Sequence, residues 1–191
     1  MNNINNNNSK RLFRTAQRLF IEGKMHECID AFTIAIDHGE TTEIAFLSRG
    51  VAFLKTEQAD NAIKDFNSVV SMNNNNLRAH YYRGIAYMTK ADFNNAIKDF
   101  DMIIELKPDY GAAFFARGSA YVQLGDTSEA AWNFKTALIC SETEAQGLAD
   151  SFEIFKTQFD KTLAIMTDES KISVMDLTKD EIDKLKSWLE E

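Results

Sequence analysis

The pattern Ala96-Ile97-Lys98-Asp99-Phe100 stands 34 residues after Ala62-Ile63-Lys64-Asp65-Phe66. A fixed period of this size constrains the chain more than any other feature. It makes the fold a row of like units, each packed on its neighbours, rather than one central core. The period runs in columns. Gly50, Gly84 and Gly118 form one, with Ala16 at the same place one step earlier. Phe53, Tyr87 and Tyr121 form a second, preceded by Leu19, and Ala62, Ala96 and Ala130 a third, preceded by Cys28. Phe32, Phe66, Phe100 and Phe134 form a fourth, and Arg49, Arg83 and Arg117 a fifth. Four units follow, at 9–42, 43–76, 77–110 and 111–144, the first of them degenerate.

The columns have a mechanism. Each unit reads as two amphipathic helices joined by a short turn. Packed helices lie about 8–10 Å apart, depending on the side chains at the crossing. Glycine or alanine there lets the two helices close up, and the aromatic columns fill the space beside the contact. One pair cannot bury its apolar face alone, so the units stack.

On Gly84, Tyr87, Ala96, Phe100 and Pro108, and their equivalents one period away, the chain resembles the tetratricopeptide repeat family. His80 stands where that family prefers Trp, and Arg83 where it prefers Leu; only the third unit keeps its terminal proline. The resemblance implies an all-α, right-handed solenoid of four helix pairs. It also implies a module that binds peptides or proteins, without catalysis and with no cofactor.

Composition narrows the partners. At 191 residues and 45% hydrophobic, the chain is long enough for one well-buried domain. A net charge of −8 argues against nucleic acid or an anionic membrane as main partner. No 18-residue apolar run suggests membrane insertion, and MNNINNNNSK lacks the apolar core of a signal peptide, so a cytoplasmic location is expected. Cys28 and Cys140 both fall in helical, core-facing contexts and read as buried reduced thiols.

In chain order, residues 1–8 are nearly all Asn and are expected to be a disordered tail, with Ser9 capping the first helix. Helices are expected near 25–37, 42–55, 59–71, 77–89, 93–106, 111–124 and 127–140. Asn73–Asn76 replaces the usual proline turn with residues tolerant of left-handed backbone. Phe152 then stands where the crossing glycine would recur, so the repeat stops. A longer helix over 143–166, with Leu148, Phe152, Phe155, Phe159, Leu163 and Met166 on one stripe, suits the end of the solenoid. Its share beyond the fourth unit, 145–166, completes a repeat domain spanning 9–166. The remainder, 167–191, is a linker followed by a short amphipathic helix. Thr178-Lys179-Asp180-Glu181 opens that helix as a capping box, and Ile182, Leu185, Trp188 and Leu189 form its apolar stripe.

Enzyme signals are absent: no glycine-rich phosphate loop, no nucleophile elbow, and no ligand spacing among His26, His38 and His80. The Arg49, Arg83 and Arg117 column sits beside the crossing glycine and reads as packing and ion pairing with Asp65 and Asp99, not as an anion reader.

The resemblance places the binding surface on the first helix of each unit. Carried onto this sequence, the groove holds Phe13, Arg14 and Gln17, with Lys10, Phe20 and Ile21 beside them, in the first unit. Leu47, Val51 and Leu54, with Ile44, Ser48 and Lys55, follow in the second. Arg78, Tyr81, Tyr82, Ile85 and Met88 follow in the third, and Phe115, Ser119 and Val122, with Ala112 and Ala116, in the fourth. Members that grip a carboxylate terminus use Lys, Asn and Arg there. Phe13, Gln17, Leu47, Val51, Tyr81 and Ile85 occupy those places here, which rules out that mode. The stripe reads as an open apolar trough for an amphipathic helix or an apolar peptide, the alternative being that part of it packs against neighbouring units. Two alternatives accompany this reading: a self-assembling scaffold whose groove accepts a second copy, and a holdase for amphipathic segments. The C-terminal helix is itself a candidate occupant of its own chain's groove.

Overall fold

The computed structural model describes the backbone of residues 2–144, 178–180 and 183. Among these the chain is all-α, with eight helices in 2–144 and no strand: α1 (Asn2–Ile21), α2 (Met25–Asp37), α3 (Glu43–Lys55), α4 (Ala59–Met72), α5 (Leu77–Thr89), α6 (Phe93–Leu106), α7 (Gly111–Leu124) and α8 (Thr127–Glu144). The expected helix spans agree to within a residue over α2–α7. α8 runs on to Glu144, so 143–144 belong to it and not to a following helix. The stretch 145–177 lies outside the described residues. Lys179, Asp180 and Asp183 are helical just after Thr178.

The chain divides into two compact units, Met1–Ala86 and Tyr87–Glu191. In the first, α1 packs on α2 and α3, α2 on α3, and α3 on α4. Ala16, Cys28 and Phe32 are wholly buried at its N-terminal end, with Phe13, Leu19, Phe20 and Phe53 packed around them. In the second, α7 packs on both α6 and α8.

The small-residue and aromatic columns are the interior. Cys28, Ala62, Ala96 and Ala130 are wholly buried, as are Phe32, Phe66, Phe100 and Phe134. The glycine column has a measurable reason. A Cβ on Gly50 would meet the Phe66 ring at 2.6 Å, and one on Gly118 the Phe134 ring at 2.8 Å. Both are closer than a real Cβ approaches anything, so each ring occupies the space a side chain would need.

Three local expectations are corrected. Asn2–Asn8 are not a disordered tail but the start of α1. Once a helix is nucleated, each further residue adds a hydrogen bond, so even a poor former is carried along. Ser9 therefore lies inside the helix, buried, and is not its cap. The Asn73–Asn76 turn does not use left-handed backbone; among described residues only Glu57 and Ala91 do so without being glycine. The run works through its side chains instead. Asn76 Oδ1 accepts from Ala79 N and so caps α5, while Asn73 and Asn76 both donate to Glu43 Oε2, at 3.3 and 2.8 Å.

Four of the five left-handed residues among those described form a column of their own: Gly23, Glu57, Ala91 and Gly125, with φ of 75°, 61°, 58° and 81°. Each sits in the turn between the two helices of a unit. There the chain must reverse, and the backbone N–H of the residue after the left-handed one bonds back to the first helix, as Asp126 N does to Tyr121 O.

Candidate interaction surface

The arginine column shows how the first helices are held, and therefore which of their faces remain. Arg49 on α3 donates through Nε and Nη2 to both carboxylate oxygens of Asp65, at 2.8 and 2.7 Å, and through Nη1 to Thr33 Oγ1 at 3.1 Å. These partners lie sixteen residues on either side. Arg117 on α7 repeats the arrangement, with Asn133 ahead at 2.8 Å and Asp101 behind. Arg83 donates to Asn67, again sixteen residues back, at 2.8 Å. Each guanidinium thus ties second-helix residues to the first helix that carries it. Burial pushes the Asp65 carboxyl above the usual carboxylate range, and the Arg49 hydrogen bonds and charge offset that only in part. The expected Arg49–Asp65 pair is present. The backward partners were missed, although a polar column of Thr33, Asn67 and Asp101 was there to suggest them.

The first-helix stripe is not an open trough. Within the first unit, Val51, Leu54, Tyr81 and Ile85 are buried. Tyr82, half-buried, stacks on the crossing ring of Phe66 with centroids 6.0 Å apart and meets Tyr81 edge-on. Phe13 is half-buried against Phe32. Within the second unit, Met88, Phe115, Ser119 and Val122 are buried. Phe115 lies 5.0 Å from Phe134, and Ser119 Oγ donates to the Phe115 carbonyl. Tyr82 and Phe115 therefore belong to packing between helices. The expectation of continuous exposure fails because these rings reach sideways to the second helices.

What stays outside lies mainly in the first unit. Arg14 and Arg78 are exposed, Gln17 and Leu47 half-buried. Ile21 and Ile44 are 84% and 59% exposed, a degree of water contact that an apolar side chain gains nothing from.

Among the described residues no three His, Cys, Asp or Glu side chains gather as metal ligands. His80 is buried and donates through Nε2 to the Asn74 carbonyl at 2.8 Å; His26 and His38 are exposed. Burial raises the Cys28 thiol to about 11, which keeps it protonated and unreactive at neutral pH. Cys28 is a buried thiol as expected, whereas Cys140 is partly exposed. No described helix is long and apolar enough to cross a membrane.

A family model for the tetratricopeptide repeat matches residues 47–110 and 81–143, together just over half of the chain. Three solved structures share the fold. A MamA protein is 23% identical, with a TM-score of 0.68 over 76% of this chain and 79% of its own. YrrB, a TPR protein with an unusual peptide-binding site, is 19% identical, with a TM-score of 0.68 over 75% and 74%. The first TPR of Spaghetti (RPAP3), bound to an HSP90 peptide, is 24% identical, with a TM-score of 0.58 over 61% and 93%. Among curated proteins there was no match.

Proposed function

The chain belongs to the tetratricopeptide repeat family, a family of generally non-enzymatic interaction scaffolds, and from that premise we propose that it binds an amphipathic helix or apolar peptide through its first helices. The observation that carries this is the exposure of Ile44, with half-buried Leu47 one turn along α3. An apolar anchor buried there contributes roughly 1.5–3 kcal/mol before ordering costs. The repeat domain of this reading spans 9–166, closed by the helix over 145–166.

The test is a fluorescence-anisotropy titration of the full chain with a labelled amphipathic helical peptide. A peptide ending in an acidic carboxyl terminus is run in parallel. Saturable binding of the first only is expected, weakened about tenfold, or 1.4 kcal/mol, by Leu47→Glu. Absence of saturable binding of the amphipathic peptide contradicts the reading.

A second reading has its own observation. Ala112 on α7 is buried, whereas Lys10, Ile44 and Arg78, at the same repeat position in the first unit, are exposed. The C-terminal helix opening at Thr178, from this chain or a second copy, is the occupant we propose for that part of the surface. Deleting 176–191 then raises the binding of an apolar dye. Light scattering across a concentration series separates the two sources: mass rises with concentration only if copies pair.

A further inference from the structure

One repeat column of the first unit is left outside by the packing: Lys10 on α1, Ile44 on α3 and Arg78 on α5, all exposed. Arg14, one turn along α1 from Lys10, is exposed as well. Lys10, Arg14 and Arg78 take part in no ion pair or side-chain hydrogen bond among the described residues. Elsewhere in this unit Arg18 pairs with Glu22, and Arg49 with Asp65 and Thr33. The four charged side chains of α1 are all cationic, in a protein of net charge −8. An apolar side chain in water, flanked along one column by unpaired cations, complements a surface with an apolar stripe between carboxylates.

We propose that this face of the first unit receives an acidic amphipathic helix from a partner protein, its apolar stripe on Ile44 and Leu47 and its carboxylates toward Lys10, Arg14 and Arg78. The inference rests on the interaction reading above and adds the partner's charge. It differs from grip on a carboxylate terminus, because the cations occupy other repeat positions than those where Phe13, Gln17, Leu47 and Val51 stand. A polyanion is the poorer fit: the chain as a whole repels it, and Ile44 at the centre offers nothing to a phosphate.

The test uses the full chain and two labelled designed helices with the same leucine stripe, one flanked by Glu and the other by Lys. Anisotropy gives the affinity of each at low and high salt. The expected result is that the Glu helix binds about tenfold more tightly, and that salt shrinks the difference. Reversing both Arg14→Glu and Arg78→Glu removes the preference without moving the melting temperature, since both side chains are exposed; Lys64→Glu on α4 leaves the preference intact. Equal affinity of the two helices overturns this inference while leaving the interaction function standing, and binding of neither overturns both. If a short nucleic-acid duplex or a phosphatidylserine vesicle saturates the same face, sensitive to the same double reversal, while the Glu helix does not bind, the face belongs to a polyanion and the proposal falls.

Discussion

Arg49 and Asp65 show how one residue pair is both costly and indispensable. Their side chains are 14% and 5% exposed, so both charges are largely out of water and their attraction mostly repays desolvation. Removing one partner is different, because it strands the other. Asp65→Ala is expected to cost about 3–5 kcal/mol in chemical denaturation. Asp65→Asn is expected to cost clearly less, because Asn133 holds the equivalent place and accepts from Arg117. Equal losses for the two variants would show that the pair is not a staple. At the same scale, the two cysteines differ in reactivity. Cys28 is wholly buried with its thiol raised to about 11, while Cys140 is partly exposed. At pH 8 an alkylating reagent is therefore expected to label Cys140 in the native state and Cys28 only on unfolding, as read by mass spectrometry. Rapid native labelling of Cys28 would contradict the buried core around Phe32.

At the scale of elements, the period made nearly every helix legible, because a residue repeated every 34 positions in four contexts leaves little freedom of register. What it left hidden were features that vary within a column. Gly23, Glu57, Ala91 and Gly125 share one left-handed conformation but not one residue type, so no pattern announced it. Asn73–Asn76 read as backbone-tolerant residues, whereas their side chains do the work by capping α5 and gripping Glu43. The turn column gives a paired expectation. Ala91→Gly relieves a left-handed alanine and should stabilise, while Gly125→Ala should destabilise, each by about 1 kcal/mol in thermal melts. Shifts of the same sign in both would mean the turns do not share a conformation.

Across the molecule, the architecture was legible and the surface was not. Fold follows from columns that must be buried, and the sequence marks those plainly. Exposure of the first-helix stripe depends on how far each ring reaches toward its neighbours. Tyr82 and Phe115 look like groove anchors in sequence yet pack on Phe66 and Phe134. The open part is accordingly smaller than the stripe and lies where Arg14, Ile44, Leu47 and Arg78 stand. Hydrogen–deuterium exchange of the full chain, with and without a saturating amphipathic helical peptide, tests that claim most directly. Added protection is expected in α1 and α3, with α2 and α4 unchanged. Protection confined to α2 and α4 would place the partner on the opposite face and contradict the account.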